Sequence, residues 1–101
     1  MEFAEVLPAV REWVANVPSP AQINRDSSEG LWVFFESEIA LAELIVGNDD
    51  HVPWHFVSMT VLDTRLDPNA EPVFSFWGNT DQTIRDILRE LDRAMEVFCA
   101  R

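Results

Sequence analysis

Phe3, Val6, Leu7, Val10, Val14 and Val17 recur at steps of three and four residues, with Trp13 beside them. That spacing is the apolar stripe of an amphipathic helix. Proline suits a first turn but removes a hydrogen bond from a helix interior, so Pro8 predicts a firm start near Leu7 and Pro8. Pro18 and Pro20 end the element. Residues 18–30, PSPAQINRDSSEG, are rich in proline, serine and other polar types and predict a long surface connection.

After Gly30 the pattern changes period. Residues 31–35, LWVFF, are β-branched and aromatic and predict a strand. Residues 39–46, ending at Gly47, fit either a second strand paired through Glu36-Ser37-Glu38 or a short helix capped by Ser37. The strand is preferred. Residues 55–62 and 73–77 alternate again, and residues 63–72 between them form a hairpin connection around the turn chemistry of Asp67-Pro68-Asn69. The last element is a helix with Ile84, Ile87, Leu88, Leu91, Met95 and Phe98 on one face and Arg85, Asp86, Arg89, Glu90 and Arg93 on the other. Thr80 or Asn79 is its expected cap, with Asp81 in the first turn.

This order predicts a two-layer α+β fold: an N-terminal helix, about four mostly antiparallel strands in a meander, and a C-terminal helix. With 101 residues, 48% of them apolar, the whole chain 1–101 is expected to share one core as a single domain.

The charge narrows the partners. Eighteen acids face seven bases, for a net −11, so the basic footprint of a nucleic-acid binder is missing and acidic membrane surfaces repel the chain. A basic protein partner suits it, because complementary potentials speed encounter. All seven bases are arginines, which fits the codon usage of a GC-rich bacterial genome. The single Cys99 closes no intramolecular disulfide, Met1-Glu2-Phe3-Ala4-Glu5 lacks a basic leader, and no run approaches the roughly 18 apolar residues of a membrane span. The expected compartment is the cytoplasm.

Candidate chemistry is sparse. Ser, His and Asp all occur, yet only His51 and His55 offer an imidazole base and no nucleophile-elbow pattern is present. Asp49, Asp50, His51 and His55 carry metal-ligand atoms, but Pro53 breaks the helix that two histidines four apart would need. Asp67, Asn69 and Glu71 alternate like the start of a calcium loop, whose glycine position is then filled by Pro72. Gly30, Gly47 and Gly78 form no phosphate cradle. Cys99 beside the apolar stripe reads as a buried, inert thiol. The expectation is therefore no enzyme, no cofactor and no metal.

Two features remain. Residues 1–50 carry ten acids and two arginines, net −8, and no base stands between Arg25 and Arg65. The strands also look apolar on both sides: with Leu31, Val33, Phe35, Val57, Met59, Val61, Phe74 and Phe76 towards the core, Trp32, Phe34, Phe56 and Trp77 point the other way. If both helices pack on one face, these rings form an interaction patch; if the helices straddle the sheet, the rings are core. The straddling arrangement is marginally preferred.

In size, charge and elements the chain resembles the small acidic immunity proteins of bacterial toxin systems, though no motif carries the likeness. The resemblance implies a protein that neutralises a cognate toxin, with Glu36, Glu38, Asp49, Asp50 and Trp54 as the expected partner-binding residues. The alternative is a secretion-type chaperone or a structural homodimer that buries the second sheet face against its copy. A small-ligand-binding domain or enzyme comes third.

Overall fold

The computed structural model describes residues 2–47, 57–67, 69–78 and 81–101. The chain runs α1 (Phe3–Asn16), β1 (Gln22–Ser27), β2 (Gly30–Glu36), β3 (Ala40–Gly47), β4 (Val57–Asp63), β5 (Phe74–Gly78) and α2 (Ile84–Cys99). The five strands form one antiparallel meander in the order β1-β2-β3-β4-β5. The α+β class and both terminal helices are as expected from the sequence; the sheet has five strands where about four were expected.

The additional strand, β1, lies inside the predicted surface connection. Its residues QINRDS are almost wholly exposed, so an edge strand facing solvent leaves no apolar alternation to read. Backbone pairing to β2 holds it, with an irregularity between Ile23 and Arg25 that interrupts the register. Arg11 of α1 ties it down as well, donating from Nε to Asp26 Oδ1 at 2.9 Å and from Nη2 to the Ser27 carbonyl at 3.0 Å.

Helix α1 begins at Phe3, earlier than Pro8 suggested. The Glu2 amide donates to Glu5 Oε2 at 2.9 Å and the Glu2 carbonyl accepts from the amides of Glu5 and Val6, which closes a turn ahead of the proline. Pro8 then sits on the exposed side of a helix whose Val6, Leu7, Val10 and Val14 are buried, and packing offsets the lost bond. Helix α2 is capped by Thr83, not by Thr80 or Asn79. Thr83 Oγ1 accepts from the Asp86 amide at 3.1 Å, and Asp86 Oδ2 accepts from the Thr83 amide at 3.4 Å. The reciprocal pair takes a Ser or Thr cap with a carboxylate or carboxamide side chain three residues later; Thr80 has Thr83 there, whereas Thr83 has Asp86. Asp81 accordingly precedes the helix.

Residues 40–47 are a strand, as preferred, and the alternation of β3 shows why. Ala40, Ala42, Leu44 and Val46 are buried while Leu41, Glu43 and Ile45 point to the other face. The short connection before it closes through Ser37, whose amide donates to the Ala40 carbonyl and whose Oγ accepts from the Ala40 amide at 3.1 Å. The link from β4 to β5 contains the expected turn: the amides of Asn69 and Ala70 donate to Asp67 Oδ1 and the Asp67 carbonyl, both at 2.8 Å.

Both helices cover the same face of the sheet. Trp13 of α1 meets the Phe35 ring edge-on with centroids 6.2 Å apart, and Phe98 of α2 approaches the same ring at 6.4 Å. Trp13 Nε1 donates to Asp92 Oδ1 at 2.8 Å and so bolts one helix to the other. Between helices and sheet lies one core, which includes Leu31, Val33, Phe35, Leu44, Met59, Val61, Ile87 and Leu91. The marginal preference for helices on opposite faces is thereby corrected. Two helices joined by a long sheet need no crossover, and an apolar seam between them favours adjacent docking on one side.

Candidate functional site

The strand register lays out the face that the helices leave open. Arg25, Trp32, Ile45, Ser58 and Trp77 form one row across β1 to β5; Gln22, Phe34, Glu43, Thr60 and Ser75 form the next. Leu41 and Leu62, with Glu36, complete a third row at the hairpin end. Trp32, Ile45 and Leu62 are each about two-fifths exposed, and Trp77 is 61% exposed. Trp32 and Ile45 are direct cross-strand neighbours and Trp77 lies one strand beyond Ser58, so three of the four share one row, and an exposed apolar row of this kind marks an interaction surface.

The aromatic groups are held in place. Trp32 Nε1 donates to Glu43 Oε2 at 2.9 Å, a diagonal cross-strand bond, and its ring leans on Phe34 with centroids 5.5 Å apart. A ring fixed before binding loses little entropy when a partner arrives. Trp77, on edge strand β5, has no such tether among the described residues.

Charge is arranged unevenly around this face. Arg85, Arg89 and Arg93 lie on α2, in the helical layer. On the sheet side Arg25 reaches Glu29 at 3.6 Å, while Glu36, Glu38, Asp67 and Glu71 make no ion pair among the described residues. Among the described residues the hairpin end of the open face therefore carries four acids outside any ion pair, while the nearby Arg65 and Arg101 are engaged on Asp63.

Of the expected partner-binding residues, Glu36 ends β2 and Glu38 lies in the β2–β3 connection, both exposed. Asp49, Asp50 and Trp54 lie outside the described residues, as do His51, His55 and Phe56. The chain enters that segment at Gly47 and leaves it at Val57, seven strand steps or ~23 Å along β3 from Ala40 and the Glu36 end. Trp32 and Trp77 were legible as outward-facing rings; Leu66, and Glu71 beyond its resemblance to a calcium-loop position, were missed, because nothing in a loop sequence signals that the two gather beside Leu62 at the other end of β4.

Cys99 is exposed, with its Sγ 3.7 Å from Ser19 Oγ, so the expectation of a buried thiol is corrected. It is the last residue of α2, where the apolar stripe has ended at Phe98. No group of three metal-ligating side chains gathers among the described residues, and no helix among them is long and apolar enough to cross a membrane.

Asp63 is the one buried charged residue among those described, its side chain 3% exposed at the end of β4. Arg65 donates to it from Nε at 3.0 Å, from Nη2 at 2.8 Å and from its own amide at 3.0 Å, and Arg101 lies at 3.4 Å. The Arg65 side-chain bonds first, then its amide, then the charges of both arginines, hold the Asp63 carboxyl down at about 2 against the opposing cost of burial. A folded pKa below the unfolded 3.8 means that this stabilisation is complete above the unfolded value and is lost as pH falls towards about 2. Asp63→Asn is expected to lower the urea midpoint at neutral pH and to flatten its fall between about pH 4 and pH 2. Parallel acid slopes for the two proteins would show that Asp63 does not carry this dependence.

Compared with protein-family models, curated proteins and solved structures, the chain matches none of them.

Proposed function

We propose that this chain is a protein-binding module that grips a basic protein on the open face of its sheet and performs no chemistry of its own. The single observation that carries this is the uncovered row of Trp32, Ile45 and Trp77 on the face opposite both helices. Partly exposed tryptophans held in a polar surround are the residues most enriched among binding hot spots. The acids at the hairpin end and the net −11 select a basic partner and repel a nucleic acid or an acidic membrane. A basic toxin neutralised by occupation of its surface is the partner class that the likeness to immunity proteins implies.

Self-association through the same face is the competing arrangement, and charge disfavours it, since each copy brings −11 to the contact. The test begins with sedimentation at micromolar concentration, where a monomer is expected. The full chain and the Trp32→Asp/Trp77→Asp variant are then immobilised against extract of the source cell. Binding of one basic protein, confirmed with that protein purified, is expected to weaken more than about 30-fold in the variant, the loss of a hot spot of ~2 kcal/mol. Unaltered affinity in a variant with the wild-type circular dichroism spectrum overturns the proposal. So does a stable wild-type dimer that the variant dissolves.

A further inference from the structure

Beside the open face the connection between β4 and β5 folds over a cleft of about 290 Å³. Leu62, Leu66 and Ala70 form its apolar walls, and Asp63, Asp67 and Glu71 are the acids along it. Leu62 belongs to both places, since it also stands on the open face opposite Leu41. At about 290 Å³ the cleft stands at the small end of the roughly 300–1,000 Å³ range of small-molecule sites and has room for one long side chain.

The three acids are not equivalent. Asp63 is neutralised by Arg65, which holds it with two side-chain bonds, and Arg101 at 3.4 Å adds one further positive charge there, so the acids left to receive a cation are Asp67 and Glu71. Asp67 accepts only backbone amides at one carboxylate oxygen and at its carbonyl, so its second carboxylate oxygen is unused among the described residues. Glu71 is exposed and makes no ion pair among them. An apolar slot under two unneutralised carboxylates complements one kind of group: a methylene stem ending in a cation. A carboxylate or phosphate would meet repulsion from both acids and from the chain as a whole.

We propose that this cleft receives a lysine or arginine side chain of the basic protein that docks on the open face. The stem packs on Leu62, Leu66 and Ala70 while the charged head meets Asp67 and Glu71. The assignment rests on the open face being a docking surface, and it supplies the point contact that fixes register there.

The experiment titrates the isotope-labelled full chain with N-acetyl-arginine methylamide, N-acetyl-lysine methylamide and the uncharged N-acetyl-citrulline methylamide, followed by amide NMR shifts. Shifts centred on Leu62, Thr64, Leu66, Ala70 and Glu71 are expected with a cationic probe. Citrulline should bind about fivefold more weakly, and Asp67→Asn/Glu71→Gln should reduce the cationic response by a similar factor. The stronger of the two cationic probes identifies the side chain that the cleft accepts. Trp32→Asp/Trp77→Asp is expected to leave these shifts in place, so the cleft and the aromatic row fail or succeed separately. Equal responses to arginine and citrulline, shifts spread over every surface acid, or full binding by the Asp67/Glu71 variant overturn the proposal.

Discussion

Phe35→Ala is expected to cost ~3–5 kcal/mol, the range for emptying a buried phenyl site that relaxes only partly. Phe35 is fully buried near the end of β2 and is the ring against which Trp13 of α1 and Phe98 of α2 both pack. Its removal therefore opens a void at the junction of three elements, and no single side chain can collapse into it without drawing a helix from the sheet. A domain of this size is stable by roughly 5–15 kcal/mol in all, so the variant sits near the edge of folding. Urea denaturation followed by circular dichroism checks it: the midpoint should fall by on the order of 2 M with little change in slope. Phe35→Leu keeps most of the volume and should lose much less. A Phe35→Ala midpoint within a few tenths molar of the wild type would mean that the two helices do not share this contact. The same assay on Trp77→Ala should show almost no change, because Trp77 supports no core.

The second large effect falls on a residue without a side chain. Gly30 and Gly47 are cross-strand partners at one end of β2 and β3, yet their environments differ. A Cβ on Gly30 would lie 2.6 Å from the Val46 carbonyl oxygen, whereas nothing stands within 4 Å of one on Gly47. Neither glycine has a positive φ, so the requirement at Gly30 is close backbone approach and not conformational freedom. Gly30→Ala must push β2 away from β3 at the position where the chain has just turned out of β1. A loss of about 3 kcal/mol is expected, at the upper end of overpacking costs because backbone and not a flexible side chain must move. Gly47→Ala should be neutral or stabilising by a few tenths of a kcal/mol, through the smaller entropy of its unfolded chain. Thermal melts of the pair decide it: equal melting temperatures for the two variants would contradict the close approach at Gly30.

These stability predictions and the binding predictions fall on opposite faces of one sheet. The side that faces the helices is saturated with packing, and substitutions there act on folding. The other side carries two tryptophans, an isoleucine and a leucine that contribute little to the core, and substitutions there should act on association. A chain selected for stability alone gains nothing from indoles left in solvent, which is why the open face is where function is sought.

Local periodicity determined most of the elements. The three-and-four spacing from Phe3 to Val17 and from Ile84 to Phe98 marked both helices and alternation marked β4 and β5, because an element that buries one face must repeat with its own geometry, while β2 was marked by its β-branched and aromatic residues. It also marked Trp32 and Trp77 as pointing away from Leu31, Val33 and Phe76. Edge strand β1 escaped, since a strand paired on one side and solvated on both faces is stabilised by backbone bonds that leave no trace in side-chain type. The cap at Thr83 was readable from the acid three residues later, and the early start of α1 from Glu2 and Glu5, but each competed with a nearer signal from Thr80 or Pro8. What only the tertiary structure decided was the side of the sheet on which each helix lies. Periodicity gives an element's buried face and says nothing of which sheet face it meets, so the meeting of Trp13 and Phe98 on one Phe35 ring, the open row opposite, and the fold of Leu66 and Glu71 beside Leu62 all follow from packing across long sequence separations.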